Sequence, residues 1–251
     1  MDSKIIKYTL ILVLFNFKVC AIEFSGKFIQ GHFILGKTDP DSKILINKKK
    51  VKVSKDGYFV FGIGKDRKLD IVITKNNKVI VKKVLKREYK IQRIDGLPQK
   101  KVTPPKEFYV RIKKENKLIV DAREIDSDLP FFKEKFILPV DDAIITGVYG
   151  SQRILNGIPK WPHYGLDFAQ KKGTPIKAMN NGIATLVEND LFYAGATLIF
   201  DHGHGISTLY MHMDEIFVNK GDHVKKGEII GTVGSSGRST GPHLDVRLNW
   251  F

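Results

Sequence analysis

The chain has 251 residues, 42% hydrophobic and 27% charged, a balance that fits folded domains and excludes a disordered chain. Its 42 Lys and Arg against 27 Asp and Glu give a net charge of +15. A single Cys excludes a disulfide framework, a thiolate-rich zinc finger and an iron–sulfur site, and no apolar run is long enough for a multi-span membrane protein.

Residues 1–21 read as a secretory signal peptide. Lys4 and Lys7 precede an apolar stretch from Tyr8 to Phe17, and Val19 and Ala21 place small residues for cleavage after Ala21. Lipid attachment at Cys20 fits poorly, because Lys18 and Val19 precede it. Cleavage after Ala21 leaves a mature chain without Cys, suited to an oxidising compartment. The expected location is the periplasm or the cell envelope, with no transmembrane anchor in the mature chain and no nucleic-acid partner.

Residues 22–97 read as a small β-sandwich. Apolar or alternating runs at Lys27–Leu35, Lys43–Ile46, Val51–Val53, Tyr58–Ile63, Leu69–Ile73 and Val79–Val84 are separated by turn residues such as Asp56-Gly57 and Asn76-Asn77. His32 stands alone there and reads as a surface or packing residue. Residues 98–135 read as a linker with a helix. Thr103 before Pro104 resembles a helix start, Phe108, Ile112, Ile119 and Ala122 recur at helical spacing, and Asp126–Pro130 ends it.

Charge divides the chain sharply. Residues 22–135 hold 29 basic and 15 acidic residues, net +14, whereas residues 136–251 hold 10 and 11, net −1. Two explanations fit the basic front: compositional drift toward Lys, or a surface for an anionic envelope polymer.

The third unit, residues 136–251, carries the chemistry. Six of the seven His lie in it, and three of these fall in the informative segments His163-Tyr-Gly-Leu-Asp167, Tyr210-Met-His212 and Gly241-Pro-His243-Leu-Asp245. Imidazole with carboxylate suits a divalent transition metal, most often zinc. On a strand, His243 and Asp245 share one face about 7 Å apart, with Leu244 turned to the core. His163 and Asp167 would lie about 13 Å apart on a straight strand, so the chain must bend between them, and Gly165 supplies the bend. By itself that first motif suits a buried structural His equally well. His202 and His204 sit in a Gly-rich turn and read as turn residues near the cleft, and His223 as a solvated loop residue.

From Pro139 to the end, the segments TGVYGSQR, HYGLDFA, KGTPI, NNGIA, DHGHG, TLYMHM, GDHVKKGEIIG and TGPHLD resemble the lysostaphin-type (LytM-type) zinc metallopeptidases, the twenty-third metallopeptidase family. The resemblance implies a mainly β chain whose C-terminal unit is the antiparallel β-sheet domain of that family, with its duplicated hybrid motif. It also implies an endopeptidase cutting the peptide crosslinks of bacterial cell-wall peptidoglycan, with peptidoglycan peptide stems as substrate. One zinc ion would be held by His163, Asp167 and Asp245, while His212 and His243 handle the water and the transition state. The family usually has His where this chain has Asp245. Two carboxylates and one His would neutralise the ion's charge, which predicts weaker polarisation and a slower hydrolase. Members usually run on past the last motif, so the resemblance suggests an end cut short at Phe251. Two rival readings remain: a non-catalytic member that scaffolds or activates other wall hydrolases, and an envelope-binding protein working through the basic front.

Overall fold

A computed structural model describes residues 21–251; the signal-peptide reading rests on residues outside that range, apart from Ala21. The front unit contains strands β1 (Glu23–Ser25), β2 (Phe33–Lys37), β3 (Ile44–Ile46), β4 (Lys49–Val51), β5 (Tyr58–Gly62), β6 (Ile71–Lys75) and β7 (Lys78–Lys82). They form one sheet of order β1-β2-β5 and a second of order β4-β3-β6-β7. Between them lies an apolar core of Ile34, Ile44, Ile46, Phe59, Phe61, Ile71 and Ile73. Alternation along β3 and β6 aims Ile44, Ile46, Ile71 and Ile73 inward, as expected of a sandwich. The first predicted strand is displaced: it begins at Phe33, because a turn closed by His32 N–H on the Ile29 carbonyl occupies the preceding residues.

Strand β8 (Ile91–Ile94) leaves the sandwich and pairs in parallel with β10 (Gln152–Leu155) of the back unit. A single turn, α1 (Gln99–Val102), and then helix α2 (Tyr109–Arg123) follow. The predicted start at Thr103-Pro104 is wrong: Thr103 closes α1, and a 3₁₀ turn begins only at Lys106. The reason is Pro105, which keeps the residue before it out of the helical region, so Pro104 cannot open the helix. Ala122, with Leu118 and Ile119, packs α2 onto Leu186, Leu191, Ile199, Leu209 and Met211.

The remaining strands are β9 (Ile144–Gly147), β11 (Ile158–Pro159), β12 (Leu166–Ala169), β13 (Pro175–Lys177), β14 (Gly182–Leu191), β15 (Gly195–Gly203), β16 (Ile206–Ile216), β17 (His223–Val224), β18 (Ile229–Val233) and β19 (His243–Trp250). Their main sheet runs β17-β14-β15-β16-β19-β12-β9, with β13 and β18 paired alongside. Strand β15 is buried at every residue, and β16 at its first eight, because both faces of the sheet are covered. One face packs Phe168, Leu198, Phe200, Tyr210, Leu244 and Val246 into the largest core; the other lies under α2. The sandwich docks at the far end of β19, where Val60, Phe132 and Ile206 are buried together beside Leu248 and Trp250. None of the helices among the described residues is long and apolar enough to cross a membrane.

Candidate metal centre

Strands β12 and β19 are antiparallel neighbours, and their register sets Asp167 directly opposite Asp245. Phe168, Leu244 and Val246 point into the core, so both carboxylates lie on the opposite face. His163 precedes β12 in a loop pinned at both ends: its N–H donates to the Ser151 carbonyl at 2.8 Å and its carbonyl accepts from Gly150 N–H at 2.7 Å. The chain then turns through Gly165, where a Cβ would stand 2.2 Å from Asp245 Oδ1 and 2.6 Å from the Val246 carbonyl. No larger residue fits, which is the physical reason for glycine between the two motif residues.

The outcome is a compact triad. His163, Asp167 and Asp245 are all buried and offer ligand atoms within 4.8 Å of one another. His163 Nε2 lies 3.2 Å from Asp167 Oδ1, and its Nδ1 lies 3.8 Å from Asp245 Oδ2. Yet both ring nitrogens of His163, and Asp167 Oδ1, are buried without a properly aligned hydrogen bond. Buried polar atoms are normally satisfied, so an unpartnered imidazole between two carboxylates, one of them with an unpartnered oxygen, is the signature of ligand atoms suited to a cation. The residues fit a zinc ion.

Two arginines complete the centre, and the sequence reading passed over both. Arg153, on β10, pairs with Asp167 Oδ2 and leaves Oδ1 facing the triad. Arg247, two residues after Asp245 on the same face, reaches its Oδ2 at 3.0 Å. Burial raises the Asp167 carboxyl, but His163, Arg153 and His243 together outweigh it and hold the group at about 2. Asp245 is likewise lowered; burial opposes this, and Arg247 and His163 overcome it. The charge balance expected from two carboxylates therefore changes: each already faces a guanidinium, so a bound dication would keep its positive field. The i, i+2 spacing of Asp245 and Arg247 was the readable signal; nothing local connects Arg153 to Asp167.

His212 and His243 stand beside the triad with ring centroids 4.8 Å apart. His212 occupies a β-bulge at φ 63°, with its N–H on the Ala194 carbonyl. Tyr210 and Met213 both face the core, so the bulge puts Met211 and His212 together on the outer face. His212 Nδ1–H donates to the Ser236 carbonyl at 2.8 Å, and His243 Nδ1–H to the Gly241 carbonyl at 2.9 Å. A carbonyl only accepts, so both neutral rings keep Nε2 as the free lone pair. His243 Nε2 lies 4.0 Å from Asp167 Oδ1. Burial, reinforced by His243, pushes His212 down to about 4.

The other His lie apart from this group. His202 is fully buried in β15, bonded to the Asn181 carbonyl at 2.6 Å and to Thr208 Oγ1 at 2.7 Å. His204 stacks on Phe132 at 4.0 Å. Both sit at the end of β16 remote from His212: His204 is a turn residue, as expected, at φ 54°, whereas His202 lies within β15, and both pack away from the metal centre. His223 is exposed, as expected.

Comparison with known proteins follows the same geometry. Residues 161–250, which contain all five of these His and Asp, match the sequence pattern of peptidase family M23. Those residues form a peptidase family M23 domain. Over 87 residues the chain is 41% identical to the peptidoglycan DD-endopeptidase ShyA of Vibrio cholerae, covering 35% of this chain and 20% of that protein. Over 89 residues it is 43% identical to the DD-carboxypeptidase/endopeptidase Mpg of Neisseria meningitidis, with the same shares of 35% and 20%. The match thus spans about a fifth of the length of these curated relatives. A crystal structure of a peptidase M23 from Pseudomonas aeruginosa superimposes with a TM-score of 0.67 at 25% identity, covering 88% of this chain and 90% of that one. That likeness extends beyond the M23 segment into the sandwich and the helical connection.

Proposed function

We propose that the protein is a zinc-dependent endopeptidase that hydrolyses peptide crosslinks of bacterial cell-wall peptidoglycan. The observation that carries the reading is the buried triad of His163, Asp167 and Asp245 with its unsatisfied ligand atoms, beside two imidazoles. It draws its substrate class from the family and from relatives named as peptidoglycan endopeptidases.

His163 Nε2 or Nδ1, Asp167 Oδ1 and one Asp245 oxygen would hold the ion, which supplies Lewis-acid polarisation of a carbonyl and of water when bound. Arg153 and Arg247 fix the two carboxylates so that each turns toward His163. His212 is the general base in this reading. It is neutral at physiological pH, its tautomer is set by Ser236, and its Nε2 can accept a proton without rotation of the ring. His243, half-buried and with Nε2 facing Asp167, is the group on the same side of the triad that would stabilise the oxyanion. An exported chain meets this substrate in the periplasm or envelope, and the basic front unit would hold it near an anionic polymer there.

Incubation with purified peptidoglycan, with and without chelator, tests the reading by fragment mass. Cleaved crosslinks that disappear with chelator and return with zinc are expected. Intact crosslinks with zinc-loaded protein would overturn it.

A further inference from the structure

The loop 235–241, between β18 and β19, anchors both imidazoles: the Ser236 carbonyl accepts from His212 Nδ1 and the Gly241 carbonyl from His243 Nδ1. Arg238 stands in the middle of that loop, two residues from Ser236 and so within about 7 Å of it at Cα. Its place is firmly set. Arg238 N–H donates to the Tyr193 carbonyl at 2.8 Å, in the turn between β14 and β15. Gly237 beside it lies at φ 71°, and a Cβ there would stand 2.5 Å from Gly195 N and from the Tyr193 carbonyl oxygen, so glycine alone lets the loop sit this close. The guanidinium then lies over the Tyr193 ring, 4.5 Å from its centroid.

The charge held there has no answer within the fold. Among the described residues the guanidinium makes one hydrogen bond, a long one from Nη1 to the Lys101 carbonyl at 3.5 Å, and no carboxylate forms an ion pair with it. Arg153 and Arg247, by contrast, are each occupied by a ligand carboxylate. Burial lowers Arg238 from the ordinary guanidinium range; Tyr193 and Asp245 oppose this, while Arg153 and Arg247 add to it, which puts Arg238 within the field of the metal centre. A second cation stands next to it. Lys101, in α1, donates from Nζ to the Phe192 carbonyl and lies 4.2 Å from the centroid of the Phe192 ring, itself 5.0 Å from that of Tyr193. Lys101 has no ion pair among the described residues either: Asp190 and Glu115, the carboxylates that act on it from a distance, are both held by Arg111. Two cations fixed on adjacent rings without a counter-charge repel each other, and an arriving anion relieves that cost. A planar fork already held in place is the geometry that pairs with a carboxylate through two N–H groups.

We propose that Arg238, reinforced by Lys101, is a specificity site for a carboxylate that the peptide substrate carries close to its scissile bond, on the side of the centre where loop 235–241 holds the two imidazoles. The inference rests on the peptidase reading and narrows its substrate to peptides with a free carboxylate at that place.

The test is calorimetric titration of the full chain, zinc-loaded and after chelation, with acetyl-Ala-Glu-Ala amide and with acetyl-Ala-Gln-Ala amide. The Glu peptide is expected to bind about tenfold or more tightly in both states, as charge-assisted pairing gives. Arg238→Gln should bring the two peptides within about twofold of each other, and Arg238→Lys, which keeps the charge but not the fork, should restore part of the difference. A preference owed to the general positive charge of the chain would survive the loss of one cation. Should Arg238→Gln fail to fold, Lys101→Glu decides: it leaves Arg238 in place, reverses the neighbouring charge and should reduce the preference to about threefold or less. Equal binding of the two peptides by the unaltered protein would overturn the proposal. So would a preference confined to the zinc-loaded state, or one that survives the deciding variant. Peptidoglycan hydrolysis without a preference for the Glu peptide removes only this inference. That preference without hydrolysis supports it and removes only catalysis.

Discussion

The two units bury polar groups in opposite ways. In the sandwich the buried polar residues are Gln30, Thr38 and Ser42, all neutral, and its many Lys stay at the surface. The M23 unit buries His163, Asp167, Asp201, His202, His204, His212 and Asp245. Burying an ionisable group is costly unless something compensates it, so a fold keeps such groups where they are tied down or used. His202 is tied down, with both nitrogens bonded; His163 is not. That contrast, more than burial itself, separates a packing His from a ligand.

Breaking the triad should have the largest effect. Asp245→Ala is expected to lower zinc affinity by well over about a hundredfold, more than loss of an outer partner costs, as read by metal content after dialysis. Asp245→His should retain zinc but leave Arg247 without its carboxylate, so its melting temperature should fall and recover in Asp245→His with Arg247→Met. Unchanged zinc in Asp245→Ala would remove that residue from the ligand set.

Next come the two imidazoles. His212→Ala and His243→Ala should each lose activity by roughly a hundredfold or more, the scale of general acid–base groups, while keeping their zinc. Metal loss in either would show that it acts as a ligand.

A smaller effect concerns His202, whose burial pushes it from 6.5 down to about 4. Above pH 6.5 it is neutral in both folded and unfolded chains and has no influence. As pH falls from 6.5 to 4, the unfolded chain takes up a proton that the folded chain refuses, so stability drops by up to about 1.4 kcal/mol per unit, and the loss levels off below 4. His212 acts in the same direction. His202→Gln should flatten the decline of melting temperature across that window; an unchanged slope would mean that His202 does not titrate there.

The smallest and most conditional effect belongs to the sandwich. If its +14 segment binds an anionic envelope polymer, sedimentation of the full chain with envelope fragments should weaken steeply with salt, since exposed charges are screened beyond about 8 Å at physiological ionic strength. A shallow salt curve would leave the Lys excess to composition.

Much of this was legible residue by residue. Alternation along Ile44–Ile46 and Ile71–Ile73 showed the sandwich, and the His243-Leu-Asp245 period put two functional groups on one face. The helix start was misread because Thr103-Pro104 is a good local cap, overruled by the next proline. His212 shows the limit more clearly. Simple alternation would put it on the same face as Tyr210, in the core, and only the bulge turns it outward.

What the sequence determined by itself is whatever depends on spacing: the strand periods, the division of charge near residue 135, and the motif residues matched to a family. What the tertiary structure decided is which of those residues meet and how each is compensated. The register of β12 against β19 sets Asp167 opposite Asp245, a loop tied to Gly150 and Ser151 brings His163 between them, and Arg153 arrives from a strand that β8 flanks. Those partners are separated along the chain by up to some ninety residues, from Arg153 to Asp245. Periodicity acts only between near neighbours, whereas electrostatic compensation acts through space, and so the charge of the centre could be known only once the sheet had closed.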